Sequence, residues 1–303
     1  MKNNSASTFH SRHTFPTLFA CALATAVSAH PRHARADAAE PPITPAMKWL
    51  GTLPDKTNGE RALGQLFADG TATYVPTGSA TGYPVLFSRL TDLDWLAAQL
   101  WGGKTLRVVS SETLPNGDPI VRLDNKIIKT PTGGLLNIFQ AWVRRSTVAD
   151  LIIGTNARGQ KVPSPSGTLA PIPLSFLKEP IAIDDRPSIL LNYFEDTTLP
   201  VIRRILDEIR EIDGVNCKGL FLGRAHARRC TSFDCGEVPS PLVDTVAEPV
   251  FETRYEWGFW TYFILNFSPA DQACDLGPAL KNVTAALHSQ GVDVDLSDAP
   301  PAN

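Results

Sequence analysis

The sequence predicts a mainly β protein, an antiparallel barrel accompanied by a few short helices. Three observations predict it. From Lys104 onward, apolar and polar residues alternate in segments of strand length. Those segments are separated by Gly, Pro and Asn-Gly turn signals at hairpin spacing. Only a few stretches carry a helical period. Closure into a barrel is preferred to a sandwich because it removes exposed strand edges, and an eight-stranded interior can hold one small ligand.

Residues 1–36 read as a secretory signal peptide. Lys2 and Arg12 lie in a basic leader, Phe19 to Ala29 is its apolar core, and Ala34-Arg35-Ala36 supplies a small-x-small cleavage site. The apolar stretch is short for a bilayer, and no later stretch reaches that length without charges, so no transmembrane segment is expected. Removing the leader leaves about 265 residues, enough for one large domain. Residues 37–59 carry no period and read as a linker draped on the domain, with Trp49-Leu50 docking. The barrel domain is expected over 60–290, followed by a polar tail over 291–303.

Within that domain, Glu60 to Ala68 reads as an amphipathic helix with Leu63, Leu66 and Phe67 on one side. Thr71 to Phe87, rich in Gly and Thr, suits an entry strand and wide turn. Thr91 to Trp101 has helical spacing and a capping residue at its start, and Gly102-Gly103 ends it. Thr105–Ser110, Ile120–Lys129 and Leu135–Arg144 then read as strands, with a tight turn at Asn116-Gly117. Asp150–Gly154 adds a short strand, and the Pro-rich stretch 156–187 reads as loop. Ser188–Tyr193 is a strand. Pro200–Ile212 is expected to be a helix, with Ile202, Ile205, Ile209 and Ile212 in one stripe and Arg203–Asp207 and Arg204–Glu208 paired along it. Gly219–Ala227 returns as a strand. Val250–Phe267 is the clearest strand, with Phe259, Phe263 and Leu265 on one face and a bend expected at Gly258. Leu276–Ser289 is a last helix.

Composition excludes several classes. The net charge of -3 carries no basic footprint for nucleic acid. Four cysteines follow the leader, Cys217, Cys230, Cys235 and Cys274. An even number in an exported chain points to disulfides, and three pairings are open. A zinc site on His226, Cys230 and Cys235 lacks the C-x-x-C spacing, so no metal is expected. Only His226 and His288 follow the leader, which rules out a three-histidine site in one mature chain. No nucleophile elbow, phosphate loop or dinucleotide fingerprint is present. No cofactor is expected.

Two places resemble a known family. Trp101-Gly102-Gly103-Lys104-Thr105-Leu106 resembles the W-x-G-K-x-(F/L) signature of lipocalin-like (calycin) proteins, including the GXWXG type. The stretch from Asp184-Asp185-Arg186-Pro187 through Asn192-Tyr193 and Asp207-Glu208-Ile209-Arg210-Glu211 to Gly219-Leu220-Phe221-Leu222-Gly223 resembles uncharacterised bacterial calycin-like proteins. Asp185 stands where that pattern has Gly, and Asn192 where it has Asp. The likeness covers Glu60 to Phe267. It implies a barrel with an internal cavity and brings no activity with it. In that family the D-E-I-R-E piece can be a strand, against the helix that local spacing favours here.

The leading reading is therefore an exported, secreted or periplasmic, monomeric lipocalin-like protein that binds a small apolar or amphipathic molecule. Trp142, Tyr193, Phe221, Tyr255 and Trp257 are expected to line the pocket, with Lys104, Arg210 and Arg224 at its polar end. The rival is an isomerase or lyase on the same barrel, using Asp207, Glu208 or His226 for proton transfer. A third reading is a structural protein whose barrel is filled by side chains.

Overall fold

The computed structural model describes residues 41–85, 101–129, 135–147, 153–155, 161–163, 186–193, 205–214, 216–230, 255–268 and 274–300. Eight strands close into an antiparallel barrel: β1 (Gly78–Val85), β2 (Trp101–Thr113), β3 (Pro119–Lys129), β4 (Leu135–Ser146), β7 (Ser188–Asn192), β8 (Ile205–Glu211), β9 (Leu220–Cys230) and β10 (Tyr255–Asn266). Their order around the barrel is β1-β10-β9-β8-β7-β4-β3-β2. A separate hairpin joins β5 (Ile153–Thr155) to β6 (Lys161–Pro163). Among the described residues, three α-helices accompany the strands: α1 (Pro45–Thr52), α2 (Gly59–Asp69) and α3 (Gly277–Ser289).

The fold has two apolar cores, one on each side of the barrel wall. Inside lie Leu106, Val121, Leu123, Ala141, Ile189, Leu191, Ile209, Phe221 and Leu265. Outside, the helices pack on the wall made by β9 and β10. Met47 and Leu50 of α1, Leu63 and Phe67 of α2, and Leu280 and Val283 of α3 meet Leu220, Leu222, Tyr262 and Ile264. Antiparallel strands with one face on a barrel core and the other under helices are buried on both, so their side chains are apolar or paired.

That two-sided burial corrects the reading of Pro200–Ile212 as a helix. Residues 205–211 form β8, and residues 200–204 lie outside the described set. Ile205 and Ile209 belong to the inner core, while Ile212 belongs to the outer one. The polar residues between them are buried as well, so the alternation that betrays a half-exposed strand is missing. Three of the isoleucines that fit a helical stripe are distributed over two cores instead, and Ile202 lies outside the described residues.

The stretch read as a linker also differs. Thr44 caps α1, its hydroxyl accepting from the Met47 amide at 3.2 Å with Pro45 in the first turn. Ala46, Met47, Trp49 and Leu50 are buried. The tail read as polar packs Val292 and Leu296 into the same core. Asp298 accepts from Trp49 Nε1 at 3.2 Å and from Lys56 Nζ at 2.6 Å, tying the tail to the α1 segment. In β10 the irregularity falls between Phe259 and Thr261 rather than at Gly258. The extra residue moves Phe259 to the helix side with Tyr262 and Ile264, while Phe263 and Leu265 stay inside. Trp101 opens β2 instead of ending a helix, and residues 91–100 lie outside the described set.

Cys217 and Cys274 form a disulfide between the β8–β9 turn and the approach to α3. This selects one of the three open pairings; the side chains of Cys230 and Cys235 lie outside the described residues. Replacing both partners by serine is expected to cost about 2–4 kcal/mol by releasing the unfolded chain. Urea unfolding of the double variant checks this, and a loss below about 1 kcal/mol would show that the tether constrains little.

Candidate functional site

Two polar clusters lie back to back across the β8 wall, because Asp207 and Glu208 are adjacent in a strand and face opposite ways. The inner cluster centres on Lys104 of β2. Gly103 brings it into place: its φ of 122° suits glycine, and a Cβ there would stand 2.2 Å from the Ala80 carbonyl oxygen. The backbones of β1 and β2 approach closely at this point.

Lys104 Nζ donates to Asn125 Oδ1 at 2.8 Å, to the Tyr193 hydroxyl at 2.6 Å and to Asp207 Oδ2 at 2.9 Å. Tyr193 donates to Asp207 Oδ2 at 3.0 Å and accepts from Asn125 Nδ2 at 2.9 Å. Trp101 Nε1 donates to Asn125 Oδ1 at 3.2 Å. The rings of Trp101, Tyr193 and Phe263 surround the ammonium with centroids 5.5, 5.4 and 5.2 Å away. Phe263 can lie there because Gly223 opposite has no side chain; a Cβ would fall 2.2 Å from the ring. Lys104 is 3% exposed and Asp207 4%. Burial pushes the Lys104 pKa down, against the opposing pull of Asp207. Burial and the Asp207 charge push the Tyr193 hydroxyl well above its usual range, so it keeps its proton.

The outer cluster lies between the wall and α2. Glu208 Oε1 accepts from Arg224 Nε at 2.7 Å and from His226 Nε2 at 2.8 Å. Arg224 Nη2 stands 2.6 Å from the same oxygen without hydrogen-bond alignment. Oε2 accepts from Ser188 Oγ at 2.8 Å, and Ser188 Oγ accepts from Arg210 Nε at 2.9 Å. Both guanidinium groups stack on the Phe67 ring at 4.6 Å. Burial acts to raise the Glu208 pKa; hydrogen bonds and positive charge from His226 and Arg224 outweigh it and bring the group to about 2. Burial lowers the His226 pKa, and Glu208 pulls it the other way. Burial is the larger effect on His226, and its Nε2 hydrogen-bonds the Glu208 carboxylate.

The structure thus divides the residues singled out in the sequence. Lys104, Tyr193, Asp207 and Phe221 face the barrel interior. Arg210, Arg224, Glu208 and His226 stand on the other side of the wall, so neither arginine forms a polar end for the interior. Trp142 also faces outward, opposite Arg122 on β3 and under its guanidinium at 5.2 Å, because Ala141 and Val143 take the inward positions. Tyr255 and Trp257 open β10, and their side chains lie outside the described residues. Trp101, Asn125 and Phe263 join the inner cluster without having been singled out for it. Asn125 carried a signal: it continues the inward positions Val121 and Leu123, and a polar residue on such a face asks for a partner.

No known protein family, no curated protein and no solved structure matches this chain.

Proposed function

We propose that the chain is an exported, monomeric, lipocalin-like protein that holds a small apolar or amphipathic molecule in its barrel. The inner polar layer carries this reading. Inside an otherwise apolar barrel, a buried Lys–Asp pair adds little net stability over apolar side chains of similar size. Such a pair is better explained by something it recognises. On one side of the layer the barrel is filled, with Leu106, Val121, Ile189, Ile209, Phe221 and Leu265 at most 1% exposed. On this reading the layer floors a ligand pocket toward the end where β2, β4, β8 and β10 begin. Trp101 and Ile205 are only partly buried at that end. The Cys217–Cys274 disulfide supports an oxidising compartment.

Native mass spectrometry of protein purified from its own host is expected to show a bound species of lipid size. A bare chain mass, together with no saturable uptake of a neutral apolar dye, would favour the filled barrel instead. An isomerase or lyase on this barrel would have to use Asp207. Glu208 and His226 are fully buried on the far side of the wall, out of reach of anything in the interior.

A further inference from the structure

We infer that the molecule recognised on this floor is a neutral amphipathic alcohol, which donates its hydroxyl proton to Asp207 Oδ1, and that the site discriminates against a carboxylate. The inference rests on the binding reading above and specifies its ligand. It follows from counting donors and acceptors. An ammonium has three protons, and Lys104 gives them to Asn125, Tyr193 and Asp207. The Tyr193 hydroxyl has one proton and two lone pairs; the proton goes to Asp207 Oδ2, and the lone pairs accept from Lys104 and Asn125. Trp101 Nε1 is committed to Asn125. Asp207 Oδ2 takes two bonds, and Oδ1 has no protein partner among the described residues. The unused capacity of the Lys104–Tyr193–Asp207 group is therefore an acceptor.

Charge points the same way. Lys104 and Asp207 cancel, so the layer is neutral. A carboxylate head would bring an unpaired negative charge against Asp207 and find no free donor on Lys104, although an interior lysine by itself suggests an acid-binding site. A cationic head would leave a net positive charge in a dry interior. A hydroxyl adds one hydrogen bond to a charged acceptor and no net charge.

Displacement of Nile red from the full mature chain by decan-1-ol, 1-methoxydecane, decanoate and decane tests this at neutral pH. The ether keeps the oxygen and loses the donor proton. Decan-1-ol is expected to bind about tenfold or more tighter than each of the other three, the range of one hydrogen bond to a charged group. Asp207→Asn removes the counter-charge of Lys104 and is expected to reverse the order of decan-1-ol and decanoate. Ether, acid or alkane binding within tenfold of the alcohol overturns the inference while the binding reading stands. An unchanged order in a folded D207N overturns it too. If none of the four ligands displaces the dye, the binding reading falls and the inference with it.

Discussion

Lys104→Met is expected to destabilise the fold by about 3–5 kcal/mol, because it leaves the Asp207 carboxylate buried without its cation. The ammonium also satisfies Asn125 and Tyr193 and sits among three aromatic rings, so several contacts go with it. Urea unfolding measures the loss as a lower midpoint at unchanged slope. The double variant Lys104→Met with Asp207→Leu removes both charges. It is expected to recover most of the loss or to exceed the native stability, since a buried ion pair costs desolvation that apolar side chains avoid. This pairing separates stability from recognition: the double variant should be folded and have lost its preference for an alcohol over an alkane. A single Lys104→Met variant within about 1 kcal/mol of the native chain would show that the pair is not the buried neutral unit described here.

Glu208→Gln is expected to cost a similar amount, about 3–5 kcal/mol, by leaving Arg224 without its anion under α2. Its pH signature is distinct. The Glu208 pKa is lower in the folded chain, at about 2 against an ordinary 4.5, so the unfolded chain binds a proton first as pH falls. The stabilisation, about 3 kcal/mol, is fully present above the ordinary value and is lost between about pH 5 and pH 2. His226, pushed below its ordinary 6.5 by burial, adds a loss of the same sign that begins at higher pH as the unfolded chain charges its imidazole. Arg224, Ser188 and Phe259 are among the groups that face this pair, and the Asp207 charge acts on His226 from the other side of the wall. Glu208→Gln should therefore flatten the acid limb of a stability–pH curve below about pH 5 and leave the His226 portion near pH 6. An acid limb that keeps its native steepness in the variant would assign the loss to other carboxylates.

The outer strand pattern was readable because turn chemistry and period-two alternation are local. Asn116-Gly117 closes its hairpin as expected, with Gly117 at φ 83°. β9 and the helix at Gly277–Ser289 fall where their patterns put them. β8 was misread because its polar residues are satisfied across two different cores, and a local window cannot see either partner. α1 was missed although Thr44-Pro45 carried a capping signal, because the surrounding Pro and Gly masked a short period.

By itself, then, the sequence determined a β-rich barrel with short helices, and it marked Lys104, Tyr193 and Asp207 as residues to follow. It could not decide on which side of the wall each charge stands. Asp207 and Glu208 are neighbours in the chain, yet one meets Lys104, 103 residues away, and the other meets Arg224 across the next strand. Strand register decides that separation, since successive side chains point to opposite faces and one step along β8 exchanges barrel interior for helix interface. Closure of the barrel then sets which distant partner each face finds, and with it which of two charge clusters can meet a ligand.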